Sequence, residues 1–181
     1  KSQVSSVFLR SGKNINAHAL VVCSGTFLNG LIHIGTDCFP AGRLGERPSL
    51  NLSENIVNKG FRLSRLKTGT PPRISKKSIN LSLCKEAPGD SGSDSFSLFT
   101  NKRTKIKELC YLVNTTKNTH NIISSNLNES ALFSGKISGI GPRYCPSIED
   151  KIFRFKERES HHLFLEPEWL GSDQIYVNGF S

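Results

Sequence analysis

Apolar residues along this chain fall in short clusters broken by polar turns. Ser5-Ser6-Val7-Phe8-Leu9 is strand-like and Ser11-Gly12 signals a turn. Ile15, Ala17, Ala19 and Val21 then alternate, which predicts a hairpin feeding a buried strand. Leu20-Val21-Val22 halts at Ser24-Gly25-Thr26, the way nucleotide-binding α/β sheets, and many plain α/β proteins, end a strand at their ligand edge. Residues 30 to 49 hold Gly35, Pro40, Gly42, Gly45 and Pro48, so a long structured loop with closely approaching backbone is predicted. Ser49 is placed as the cap of a short helix with Leu52, Ile56 and Val57 on its apolar face and Gly60 just past its end. Phe61 to Leu66 reads as a second strand, stopped by Thr68-Gly69-Thr70-Pro71-Pro72. A domain boundary is placed just after Arg73.

Beyond Arg73 the composition changes. Residues 75 to 108 are rich in Ser and Lys, and Pro88-Gly89-Asp90-Ser91-Gly92-Ser93 has the composition of a loop. Cys110-Tyr111-Leu112-Val113 reads as a strand. Thr116 or Asn118 can start a helix with the stripe Thr119, Ile123 and Leu127. Gly135, Gly139 and Gly141 lead into Pro142-Arg143-Tyr144-Cys145-Pro146; after it, Lys151 to Phe155 and His162 to Leu165 both alternate like strands. No internal repeat is visible.

At 181 residues the chain is long enough for one domain, or one and part of another. Its longest apolar run, Ala19 to Cys23, is far short of a bilayer span, and no apolar stretch follows the start to suggest a secretory segment. Methionine is absent throughout, so the chain is read as an internal piece of a longer protein. A formal charge of +9, from 24 Lys and Arg against 15 Asp and Glu, favours phosphate-bearing partners, although a basic surface kept for solubility gives the same count. The five cysteines form no C-x-x-C pair and have no histidine at zinc spacing, so reduced thiols and no metal site are expected.

Cys145 is the most informative thiol. Arg143 stands two residues before it and Lys151 six after, and nearby cations favour the thiolate that attacks carbon electrophiles. Pro146 keeps Cys145 itself out of a helix, while Glu149 and Asp150 oppose the thiolate unless they point elsewhere. A buried, inert cysteine is the commoner outcome for such a local sequence. Gly139-Ile140-Gly141-Pro142-Arg143 resembles a phosphate cradle, but a tight turn before a strand is the commoner reading of such a stretch. Gly42-Arg43-Leu44-Gly45-Glu46-Arg47-Pro48-Ser49 offers glycine turns, two arginines and a helix start, suited to a phosphate or flavin carbonyl or simply to a solvated loop. Lys67-Thr68-Gly69-Thr70-Pro71-Pro72-Arg73 could line a flavin pocket, touch RNA phosphate or make a rigid crossing. The run Lys102 to Lys107 lacks interleaved aromatics and reads as a solvated face. His161 and His162 are adjacent, so on a strand they face opposite sides and serve as structural or surface residues. Glu166 and Glu168 read as exposed acids.

In order and spacing, several of these stretches together resemble the MnmG/GidA family. They are Ser24 to Gly30 with Ile32-His33-Ile34-Gly35, Gly42 to Ser49, Arg65 to Arg73, Gly141 to Lys151, Phe164 to Glu168 and Tyr176-Val177-Asn178-Gly179. Gly141 to Lys151 is the most specific, because it separates this family from flavoproteins in general. Trp169 departs from the pattern, which usually has glycine after the residue matching Glu168.

The resemblance implies an α/β fold: part of an FAD-binding Rossmann-like domain over residues 1–73, then an inserted, smaller, NAD-associated α/β domain over 74–181. The glycine-rich FAD turn is expected upstream and a helical domain downstream, so this stretch alone is not expected to bind FAD well or turn over. By resemblance, such proteins act on tRNA with the GTPase MnmE, as a homodimer within a heterotetramer. They install a carboxymethylaminomethyl-type group on C5 of the wobble uridine, using methylene-tetrahydrofolate, FAD and NADH. The implied location is cytoplasmic, or mitochondrial for a eukaryotic source, with no membrane association. Carried over by position, Cys145 matches an essential cysteine, Ser49 touches FAD, and the NAD-associated segment is Gly141, Pro142, Arg143, Tyr144, Cys145, Pro146, Ser147, Ile148, Glu149, Asp150, Lys151, Ile152, Phe153, Arg154 and Phe155. Two other functions fit parts of the pattern. One is a TrmFO-like folate- and FAD-dependent tRNA uridine methyltransferase, which lacks the Pro142 to Ser147 stretch. The other is a non-catalytic RNA-binding module.

Overall fold

The computed structural model describes residues 3–90, 97–100, 108–137, 139, 141 and 146–180. Two compact units, Lys1–Leu63 and Ser64–Ser181, divide the chain. The expected run Lys102 to Lys107 and most of the loop after Asp90 lie outside the described residues.

The first unit opens with the predicted hairpin, β1 (Ser6–Phe8) against β2 (Asn14–Asn16), with Val7 opposite Ile15. Gly12 takes φ +85° in its turn, a left-handed conformation open to glycine. The buried strand expected at Leu20-Val21-Val22 does not form. These residues are irregular and 51%, 81% and 45% exposed. Strand propensity needs a neighbouring ladder, and none of the described residues supplies one.

The expected loop from 30 to 49 contains a second hairpin, β3 (Leu31–Ile34) against β4 (Asp37–Pro40), turning at Gly35 with φ +57°. Helix α1 (Leu52–Asn58) ends where expected, with the Gly60 N–H donating to the Val57 carbonyl. Its N-cap is Asn51, in a left-handed conformation at φ +69°, and not Ser49. Ser49 is withdrawn from the cap because its backbone bridges Leu28: its N–H donates to Phe27 O at 2.8 Å, and its carbonyl accepts from Asn29 N–H at 3.0 Å.

The second unit is built on a five-stranded antiparallel sheet in the order β5-β9-β8-β7-β6. These strands are β5 (Arg73–Ser75), β6 (Lys85–Ala87), β7 (Cys110–Asn114), β8 (His162–Pro167) and β9 (Gln174–Asn178). No strand forms over Phe61 to Leu66, where one is expected; only Leu66 makes an isolated bridge, and Arg73 belongs to the sheet. Alternation along β8 and β9 buries Leu163, Leu165, Ile175 and Val177, each contributing ~1.5–3 kcal/mol of transfer free energy.

Helix α2 (Lys117–Ser125) starts at Thr116 with a capping box shared with Thr119. The strand expected at Lys151 to Phe155 is instead helix α3 (Ile148–Arg154). Ser147 Oγ accepts the Asp150 N–H at 3.2 Å, Glu149 and Asp150 suit the positive end of the helix, and Ile148 and Ile152 stand one turn apart in the core. Together these outweigh a two-residue alternation.

Candidate functional site

In the first unit, the Gly42 to Ser49 loop closes on itself. Gly42 N–H donates to Glu46 O at 3.0 Å, Glu46 N–H to Arg43 O at 2.9 Å, and Thr26 Oγ1 to Gly42 O at 2.8 Å. A Cβ on Gly42 would overlap the Phe27 ring, so the tight approach requires glycine there. Arg43 is engaged by Glu46 on the surface and holds that carboxyl below its usual range. Both backbone groups of Ser49 are committed, leaving its hydroxyl as the group a ligand can address. That fits a single hydrogen-bond contact to a flavin nucleotide, and no more.

In the second unit, the predicted segment divides by role. Residues 142 to 145, and with them Cys145, lie outside the described residues. Ile148 and Ile152 are core positions. Glu149 accepts from Ser130 Oγ at 3.0 Å, and Lys151 Nζ donates to the Gly179 carbonyl at 2.7 Å. Asp150 lies 3.4 Å from Lys67 Nζ and 3.4 Å from Arg154 Nε. Phe153 and Phe155 are 47% and 39% exposed. The outward groups are therefore two aromatic rings and the Arg154 guanidinium, which fits part of a dinucleotide contact. An apolar groove of about 280 Å³ between α2 and α3 is lined in part by Ile148, Glu149 and Phe180. Its one carboxylate is already bonded to Ser130.

Four cysteines are described, Cys23, Cys38, Cys84 and Cys110, and none is in a disulfide among the described residues. Burial, then Glu166, pushes the Cys110 thiol up, and Cys84 Sγ is turned to the Asn80 carbonyl at 3.6 Å. Cys38 lies 3.8 Å from His33 Nε2 on an exposed hairpin. Among the described residues, no group of three His, Cys, Asp or Glu side chains could hold a metal ion. His161 is buried and His162 exposed, as their opposite facing predicts. Glu168 is not a free acid. It takes a two-pronged contact from Arg73 at 3.0 and 3.0 Å, while Arg73 lies over the Tyr176 ring at 4.7 Å. Glu166 accepts from Asn178 Nδ2 at 3.2 Å.

Over residues 1–181 the chain matches the family model described as glucose inhibited division protein A. The chain belongs to the GidA family. It is 49% identical to the tRNA uridine 5-carboxymethylaminomethyl modification enzyme MnmG of Chlorobium phaeobacteroides, over 98% of this chain and 29% of that protein. It is 51% identical to the protein of the same name from Chlorobaculum tepidum, with the same coverage of 98% and 29%. The solved structure of Aquifex aeolicus GidA superposes with a TM-score of 0.86 at 46% identity, over 99% of this chain and 31% of that one. The chain thus spans under a third of the length of these GidA relatives. Its mixed α/β fold is that of the matching GidA region.

Within this GidA chain the unforeseen contact is Lys67 with Asp150. Lys67 opens the cation cluster that runs to Arg73, but its acid stands 83 residues away and carries no local signal.

Proposed function

We propose that this chain is part of an FAD-dependent tRNA-modifying enzyme that, with the GTPase MnmE, adds a carboxymethylaminomethyl-type group to C5 of the wobble uridine. The observation that carries this is the identity of about half of all residues to proteins named for that activity, over 98% of this chain. The reading takes the first unit as the later part of the first FAD-domain segment and the second unit as the inserted NAD-associated domain, with the boundary ahead of Arg73, which pairs with Tyr176 in the second unit's sheet. The complete protein is a cytoplasmic homodimer within a heterotetramer. When bound, FAD supplies the redox chemistry, NADH its reduction, and methylene-tetrahydrofolate the one-carbon unit.

The chain's own residues bind and orient. The Ser49 hydroxyl is the flavin contact. Gly141 to Phe155 forms the dinucleotide-side segment, with Phe153, Phe155 and Arg154 as its outward groups. Cys145 is the reacting residue. As a thiolate it adds to C6 of the uracil ring and makes C5 nucleophilic, or instead it serves there as an acid in its thiol form or a base in its thiolate form.

A strain lacking its own family member, complemented with the full-length protein, tests the proposal. Wobble-uridine modification in its tRNA, read by mass spectrometry of nucleosides, should return with the wild type and stay absent with Cys145→Ser. Restored methylation at another uridine would select the methyltransferase reading. Tight tRNA binding by a protein without flavin absorbance or NADH oxidation would select the non-catalytic RNA-binding module.

A further inference from the structure

We propose that Asn29 is a positioning residue that fixes Ser49 by bracketing the chain on both sides of the turn that follows it. The inference rests on the reading of the Ser49 hydroxyl as the flavin contact. On the near side, Asn29 N–H donates to the Ser49 carbonyl at 3.0 Å, beside the bond from Ser49 N–H to Phe27 O at 2.8 Å. On the far side, Asn29 Nδ2 donates to Ser53 Oγ in the first turn of α1. Between these two points the chain passes through Asn51, whose φ of +69° is left-handed and whose side chain makes no cap bond to the helix. A residue with a side chain adopts that conformation at a cost, and keeps it only where its surroundings hold it there. Asn29 supplies that support from 24 residues before Ser53.

Asn29 is itself held in an unusual conformation. Its φ is +47°, which Asn tolerates better than most residues that carry a Cβ. In it, main chain and side chain reach two different points of the segment from Ser49 to Ser53. Gly30, the next residue, locks the turn from the other side. A Cβ there would overlap the carbonyl oxygens of Thr26 and Ala41, both backbone atoms that cannot swing away, so glycine is required. Gly30 N–H donates to Phe27 O at 3.2 Å, and Ala41 N–H donates to Gly30 O at 3.1 Å. Asn29, Ser49 and Ser53 are all half-buried, so water competes only partly for the bonds between them. The glycine requirement at 30 fixes the turn, and the two-point clasp of Asn29 transmits that fixity to Ser49. A hydroxyl contributes to ligand binding only where the main chain that bears it is held in place.

FAD titration and hydrogen exchange on the full-length protein test this. Asn29→Ala removes the side-chain bond and disfavours the left-handed backbone. Ser53→Ala removes only the far bond, leaves Asn29 in place and reads the clasp even if Asn29→Ala does not fold. In the FAD-free protein, Asn29→Ala should raise exchange at the amides of residues 29 and 49 at least about tenfold, and Ser53→Ala at least about threefold, with the β3 and β4 amides unchanged. Asn29→Asp, whose carboxylate accepts from the Ser53 hydroxyl, should stay within about twofold of wild type. FAD affinity should fall about tenfold in Asn29→Ala, but by less than about twofold when Ser49→Ala is already present, because both act through one contact. Unchanged exchange at residue 49 in Ser53→Ala overturns the inference. So does an equal loss of FAD affinity with and without the Ser49 hydroxyl, which would make Asn29 a stability residue alone. Ser49→Ala by itself judges the flavin reading. Wild-type FAD affinity in that variant removes it, whereas the exchange results still decide whether Asn29 holds Ser49.

Discussion

Acidification should weaken the second unit through one buried imidazole. His161 is 8% exposed and its Nε2 has no hydrogen-bond partner among the described residues. Its ring stacks on His120 with centroids 5.2 Å apart. The backbone is held on both sides by Thr115, whose N–H donates to the His161 carbonyl at 2.9 Å and whose Oγ1 accepts the His161 N–H at 2.8 Å. The ring therefore cannot swing out cheaply to meet water. Burial first, then the charges of His120, Lys151 and Arg158, hold the imidazole below its ordinary range, while Glu157 opposes them.

The sign follows. Between the depressed folded value and the ordinary unfolded value near ~6.5, the unfolded chain binds more protons, so stability rises with pH across that window. It is fully present above the window and is lost as pH falls through it, by at most ~1.4 kcal/mol per pH unit for one group. His161→Phe removes both the titration and the orphaned nitrogen, and should stay within ~1 kcal/mol of wild type near neutral pH. Urea unfolding of both proteins from about pH 5 to about pH 8 reads the difference in slope, so that carboxylates and other histidines cancel. Equal slopes in the two proteins would refute the reasoning.

Three further outcomes are expected. Cys145→Ser should abolish wobble-uridine modification in complemented cells while leaving the melting temperature of the purified protein unchanged. Leu165→Ala, at a core position only 5% exposed and packed with Leu163, Ile175 and Val177, should cost ~2–5 kcal/mol in a denaturant titration. Ser147→Ala, which deprives the Asp150 N–H of its acceptor, should cost ~1 kcal/mol and raise amide exchange in the first turn of α3 before any other element.

Features closed by neighbours in sequence were legible. The first hairpin, the Thr116 start of α2 and the glycine after α1 are each set by a turn or cap only a few residues long. The failures arose where a distant partner decides. Leu20-Val21-Val22 has strand composition but no ladder among the described residues. Ser49 has the chemistry of a cap, yet its backbone is claimed by Phe27 and Asn29. At Lys151 to Phe155 the error was one of period. A five-residue alternation there is overridden by the Ile148 and Ile152 pair and the Ser147 cap that define α3.

The same division separates the parts of the candidate site. The Gly141 to Lys151 stretch was visible because a thiol, an arginine and a proline-framed turn are contiguous in sequence. The long-range ion pairs of the second unit are not, because Lys67 reaches Asp150 across 83 residues and Arg73 reaches Glu168 across 95. Both cations belong to one short cluster, Lys67 to Arg73, whose chemistry stayed open between ligand contact and rigid crossing. With each cation committed to a carboxylate elsewhere in the second unit, the cluster serves that unit's own geometry. Its positive charge is then mostly spent inside the fold, so phosphate attraction has to come from other lysines and arginines of the basic chain.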